Sequence, residues 1–312
     1  MRNNETGEFV RWESSFRNWV TATGEAGPTG EGGFRAEPGR YHLYVSLACP
    51  WAHRTLIFRK LKGLEKVIDV SVVHPVMPEE SWVFGEFPGS TVDHVHGYRK
   101  LAQLYHRVEP GFDGVVTVPV LYDRQRDRIV NNESSEIIRM LNSAFDEWGD
   151  ASVDLYPEAL REQIDSLNGF VYERINNGVY RAGFAKTQAA YERAFDQLFQ
   201  ALDEIEQRLD ASPWLVDERP TEADWRLFPT LVRFDAVYHG HFKCNRNRIV
   251  DFPNLWAWLR ALYQVPGIAE TVDLAQIKTH YYASHPFINP NGIIPRGPRL
   301  DFMSREGMER YI

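Results

Sequence analysis

Tyr41-His42-Leu43-Tyr44-Val45-Ser46-Leu47-Ala48-Cys49-Pro50-Trp51-Ala52-His53-Arg54, followed by Thr55-Leu56-Ile57-Phe58-Arg59-Lys60-Leu61, changes its periodicity half-way along. As far as Leu47 the residues are β-formers, with Tyr41, Leu43, Val45 and Leu47 on one face of a strand. Beyond Cys49 the apolar positions are Ala52, Leu56, Ile57 and Leu61, the spacing of a helix face. Cys49 stands at the junction, and Pro50 falls in the first helical turn, where a missing N–H is harmless. A thiol at that place faces the free amides and the positive dipole end of the helix, which favour thiolate over thiol. Ala52 occupies the position where a second cysteine would complete a C-x-x-C pair. A lone thiolate cannot close an internal disulfide, so it must finish its chemistry with an external thiol. Taken alone, the same pattern fits a small buried hydrophobe at a strand end equally well.

Composition narrows the classes. A chain of 312 residues has room for two domains, each with its own core. The net charge of −8, with both signs interspersed, argues against general nucleic-acid or anionic-membrane binding, where a basic balance is expected. No apolar run approaches membrane-spanning length, and Met1-Arg2-Asn3-Asn4-Glu5 lacks the apolar core of a secretory signal. Cys49 and Cys244 make no disulfide framework, so the expected compartment is the reducing cytoplasm. The 9 Trp and 14 Tyr fit an aromatic-lined pocket or an ordinary large core.

Working outward from the junction, residues 1–40 read as an irregular arm, with a short amphipathic turn at Phe16, Trp19 and Val20. Gly30-Glu31-Gly32-Gly33 lacks the strand and helix that a phosphate cradle requires and reads as a plain turn. Residues 67–73 form a second strand. Residues 77–114 are long, irregular and aromatic, holding Trp82, Phe84, Phe87 and Tyr98, which marks a functional loop. Residues 117–122 and 128–131 are two strands joined by a charged turn, and Pro119 marks an edge or a special backbone site. A cis bond at Val118-Pro119 would leave the Val118 N–H and C=O to an extended, peptide-like ligand. Glu133-Ser134 opens the next helix, where the pair either holds a carboxylate or simply caps the helix.

The order β-α-β, then β-β-α, is the thioredoxin arrangement. From Pro157 four helical patterns follow without strands, at residues 158–177, 187–209, 222–238 and 253–264. Thr221-Glu222-Ala223-Asp224 has the form of a capping box with Asp in place of Glu, and Pro229 should kink its helix or tighten its first turn. The expected fold class is therefore α/β plus all-α: an arm at 1–40, a thioredoxin-like thiol-binding domain at 41–145, an all-helical domain at 146–283 and a C-terminal extension at 284–312. His239-x-His241-x-x-Cys244 lacks a fourth ligand and lies among Lys243, Arg246 and Arg248, so no metal is expected there. The basic run reads as a solvated face or an intersubunit contact.

Together these features resemble a glutathione transferase. More closely, Ser46-Leu47-Ala48-Cys49-Pro50-Trp51-Ala52-His53-Arg54, Thr117-Val118-Pro119-Val120-Leu121, Asn132-Glu133-Ser134, Asn176-Asn177-Gly178-Val179-Tyr180 and Leu231-Val232-Arg233-Phe234-Asp235 resemble the xi class, the glutathionyl-hydroquinone reductases. The resemblance spans residues 16–292. It implies that Cys49 is the nucleophile, that Trp82, the Val118 backbone, Glu133 and Ser134 hold glutathione, and that Tyr180, Tyr238 and Tyr281 line the electrophile pocket. It also implies a homodimer formed through the helical domain, with neither metal nor nicotinamide. The implied reaction removes glutathione from S-conjugated hydroquinones. A broader thiol transferase and a non-catalytic ligand carrier are the alternatives. In one respect the chain departs from the class, which carries an Arg where Val115 stands here. Either Arg107 or Arg99 compensates, or the thiol is one without a glycyl carboxylate, such as mycothiol or γ-glutamylcysteine, in place of glutathione.

Overall fold

The change of periodicity is where the strand–helix junction forms. β1 (Tyr41–Val45) is buried along its whole length, and α1 (Pro50–Leu61) begins at the proline with Cys49 as its N-cap. The computed structural model describes residues 3–78 and 81–311. β2 (Asp69–Val72) follows, then α2 (Ala102–Val108), β3 (Val120–Asp123), β4 (Arg128–Asn131) and α3 (Ser134–Ser143). The sheet has the order β2-β1-β3-β4. β1 and β2 are parallel, with His42 opposite Asp69, while β1 with β3 and β3 with β4 are antiparallel. This is the mixed sheet of the expected thioredoxin-like half. Residues 81–114 are not a plain irregular loop. They carry α2 and a bridge between Val83 and Lys100, both too short for a periodic signal to emerge.

The arm is corrected too. Instead of forming a turn, Phe16–Asn18 runs extended along β4, with Arg17 paired to Asn131. The Asn18 N–H donates to Val130 O (2.9 Å) and the Asn132 N–H to Phe16 O (3.1 Å). A terminal strand presents unpaired backbone groups, and the arm satisfies them. The turn at residues 30–33 is pinned by a buried ion pair. Arg40 Nη2 contacts Asp123 Oδ2 at 2.5 Å and donates to Gly33 O at 2.9 Å. Gly33 sits at φ +101°, where a side chain would be strained.

The helical part begins with α4 (Arg161–Val171), which passes into a single π turn at Tyr172–Asn176 before α5 (Gly178–Gly183). α6 (Gln188–Ala211) is the long helix. α7 (Glu222–Arg233) ends in a second π turn, Phe234–Tyr238, and α8 (Pro253–Tyr263) follows. Unbroken helices were expected over 158–177 and 222–238. The first π turn is tied to α7 by Asn176 Nδ2, which donates to Thr230 Oγ1 at 2.8 Å. Pro229 lies two turns inside α7 rather than in its first turn. The capping box forms as read. Asp224 Oδ2 accepts the Thr221 N–H (2.9 Å), while Oδ1 accepts the Leu215 N–H (3.1 Å) and the Trp258 indole N–H (2.8 Å). Burial outweighs these bonds and pushes the Asp224 carboxyl up to about 6.

α9 (Leu274–Ala283) packs with the sheet rather than with the helices, although the boundary at 283 had grouped it with the helical domain. Gln276 Nε2 donates to Pro88 O and His280 Nδ1 to Pro75 O, both at 2.8 Å. By its contacts the chain forms two units, Trp12–Asp154 with Glu270–Ser284, and Met1–Arg11 with Leu155–Ala269 and His285–Ile312. In the second unit Arg260 clamps the C-terminal extension on α8, donating to Ser304 O (3.1 Å) and Glu306 O (2.6 Å). Among the described residues no helix is long and apolar enough to cross a membrane.

Candidate active site

Cys49 takes its position from the turn Ser46–Cys49, closed by Cys49 N–H to Ser46 O at 3.2 Å. It retains 9% of its surface, and the first turn of α1 contains no acidic residue to oppose a thiolate. Its Sγ donates to Val118 O at 3.6 Å. The Val118–Pro119 bond is cis, and among the described residues the Val118 N–H has no acceptor. A backbone donor and acceptor thus stand beside the thiol, as an extended peptide-like ligand requires. Cys244 has the opposite surroundings. It is sealed in the core, and burial pushes its thiol well above the usual range.

Glu133 caps α3, so the plainer alternative for this residue also holds. Its Oε1 accepts the Ser135 N–H (3.0 Å) and hydroxyl (2.9 Å), and Oε2 accepts the Ser14 hydroxyl (3.0 Å). Burial raises its pKa, but these bonds and the charge of Arg54 more than offset that, leaving the carboxyl below its ordinary value. Arg54, buried and stacked over the Trp51 ring at 4.7 Å, reaches Ser134 Oγ at 3.4 Å. Trp82 is buried and stacks on the His280 ring (4.9 Å between centroids, 23° between planes).

The three tyrosines divide between the units. Tyr180 and Tyr238 lie in the helical unit with ring centroids 6.0 Å apart, Tyr238 on the second π turn and stacked on Phe242 at 5.4 Å. Tyr281 is on α9 in the sheet unit, beside His280. Cys49, Trp82, Val118, Glu133 and Ser134 share that sheet unit. Ser14 and His280 carry no motif of their own: Ser14 lies in the irregular arm, and only the fold brings it to Glu133 and His280 to Trp82. His241 Nε2 meets His285 Nδ1 at 3.1 Å, and among the described residues no group of three or more His, Cys, Asp or Glu could hold a metal ion.

The sheet unit thus holds a thiol at a helix N-terminus, an open backbone N–H and a carbonyl beside it, and a carboxylate at a second helix start. Two family models match the chain. They describe the N-terminal domain of glutathione S-transferase, over residues 48–144, and its C-terminal domain, over residues 188–261. Glutathionyl-hydroquinone reductase YqjG of Escherichia coli (strain K12) is 55% identical over 304 residues, 97% of this chain and 93% of that protein. The glutathione-S-transferase Xi of Phanerochaete chrysosporium is 50% identical and superposes with a TM-score of 0.91, covering 96% of this chain and 95% of the other. The chain belongs to the xi class of glutathione transferases. Glutathionyl-hydroquinone reductase PcpF of Sphingobium chlorophenolicum is 54% identical to this xi-class chain, over 94% of its length and 90% of PcpF. The glutathione-bound structure of YqjG superposes on it with a TM-score of 0.92, over 93% of this chain and 94% of the other.

Proposed function

We propose that this protein is a glutathionyl-hydroquinone reductase, removing glutathione from S-conjugated hydroquinones through a mixed disulfide on Cys49. The observation that carries the reading is the Cys49 sulfur at the start of α1, beside the Val118 carbonyl and the open Val118 N–H. Glu133 and Ser134 hold the γ-glutamyl end of the thiol. The Val118 backbone pairs with the cysteinyl part, and Trp82 flanks it. Cys49 thiolate attacks the sulfur of the conjugate. The S–S bond forms as the carbon–sulfur bond breaks, and the ring carbon takes the electron pair and a proton. Tyr180, Tyr238 or Tyr281 supplies that proton as a general acid. The two sulfurs are oxidised and the ring is reduced. A second thiol then attacks the mixed disulfide, releasing a small-molecule disulfide and the Cys49 thiolate.

Val115 is exposed and brings no cation to its position, and Arg107 is paired with Asp127 at 2.6 Å. Of the three thiols considered, glutathione is the proposed co-substrate, because YqjG is known with it bound. Running the same turnover with mycothiol and γ-glutamylcysteine reads out the preference. The decisive experiment is Cys49→Ser. Turnover of an S-glutathionyl benzohydroquinone should disappear with circular dichroism unchanged, and the wild type should give a glutathione adduct on Cys49 by mass spectrometry. Near-normal turnover in the variant would refute the covalent step.

A further inference from the structure

Arg11 lies in the arm that the sequence showed as irregular, and its guanidinium stands over two rings of the helical unit. It is 4.8 Å from the Tyr180 centroid and 5.3 Å from that of Phe9. Its place is fixed, since Nε donates to Asn177 Oδ1 at 2.8 Å. Asn177 joins the first π turn to α5, three residues ahead of Tyr180, so anchor and phenol move together. Phe184 and Phe242 pack against the Tyr180 ring, at 5.7 and 5.5 Å, and close the apolar surroundings. Low-polarity walls strengthen the pull of a cation on a phenol.

We propose that Arg11 is a positioning residue for Tyr180, its charge over the ring stabilising the phenolate left when the hydroxyl gives its proton to the departing aromatic carbon. This rests on the reading of Tyr180 as an acid in the reductive step. Other ionisable groups face the same cluster. Tyr238 is at 6.0 Å, and His241 and His285 lie beyond Phe242 and Phe184. On the outer side are Arg181, next to Tyr180, and Glu8, which is held by Arg193 at 3.0 Å. Arg11 is the cation placed over the Tyr180 ring face.

Coulomb attraction over ~6 Å at an effective dielectric constant of ~20–40 corresponds to ~1–2 pH units on the phenol. The test compares Arg11→Met and Arg11→Lys in the full chain, with S-glutathionyl benzohydroquinone as the probe. In Arg11→Met, the alkaline limb of kcat/KM should move up by ~1–2 pH units and the rate at neutral pH should fall ~3–10-fold. Lysine should restore most of both. Tyr180 ionisation, read without substrate from ultraviolet difference spectra against Tyr180→Phe, should shift by the same amount. Asn177→Ala, which releases the anchor, should give an intermediate shift and provides the readout should Arg11→Met not fold. An unmoved limb and an unmoved Tyr180 midpoint overturn the proposal. Full activity in Tyr180→Phe would instead remove the acid role, while the spectral shift still reports on Arg11 by itself.

Discussion

Replacing Glu133 by Gln separates the helix cap that the structure shows from the proposed hold on glutathione. The carboxylate accepts two bonds from Ser135 and one from Ser14, so it is first a helix cap. An amide oxygen can take over both Ser135 bonds, and its NH2 can donate to Ser14 Oγ, because a hydroxyl accepts as readily as it donates. The cap therefore survives, and Glu133→Gln should cost under ~1 kcal/mol of stability. What it loses is the charge. A hydrogen bond to a charged group contributes ~1.5–3 kcal/mol, so the KM for glutathione should rise ~10–100-fold with kcat little changed. Steady-state kinetics at varied glutathione, with urea unfolding in parallel, reads both quantities. The sign of the pH effect follows from the depressed carboxyl. Ionised Glu133 contributes stability that is complete above the ordinary 4.5 and is lost as pH falls through its lower folded value. The Gln variant should lack that part of the acid limb. An unchanged KM together with a large stability loss would show that Glu133 is only a cap.

Asp224 gives the opposite sign. Its folded pKa of about 6 lies above the ordinary 3.8, so the folded chain holds a proton that the unfolded chain releases between those values. Stability should fall by on the order of 3 kcal/mol between pH 4 and 6 on its account and stay level above, whereas Asp224→Asn should lack this slope. Urea unfolding at four pH values tests it, and parallel curves for the two proteins would contradict it. Arg40→Met leaves the buried Asp123 without its cation and should cost ~3–5 kcal/mol. A loss under ~1 kcal/mol by chemical denaturation would show the pair to be dispensable.

The sheet half was readable because local rules and tertiary need agree there. Pro50 suits the first turn of a helix, residues 41–45 extend as their β-formers require while Ser46 and Leu47 enter the turn before Cys49, and the Thr221–Asp224 spacing satisfies helix donors. Pro119 was legible as an edge or a special backbone site, because a proline lacks a ladder donor, and the structure has a cis bond at Val118–Pro119. The arm was not legible. The bridge of Arg17 to Asn131 depends on an edge 114 residues away, and nothing in the arm's own pattern records that edge. The π turns leave no signature either, since a helix face with one extra residue keeps nearly the same apolar spacing. α9 looks like one more helix of the second half, and only its hydrogen bonds to Pro75 and Pro88 place it with the sheet. For the candidate site, Cys49, Val118 and Glu133 stood out by residue type and position, and their roles are the ones proposed above. Ser14, Arg11 and His280 carry no motif of their own.

The second π turn holds one residue more than an α-helical turn would, at the point where α7 ends. Each residue of an α-helix advances roughly 100° around the axis. The wider turn at Phe234–Tyr238 takes up one extra residue, so Tyr238 keeps nearly the direction it would have in a regular helix one residue shorter. A relative one residue shorter there would keep its tyrosine in place, with the change confined to the turn itself.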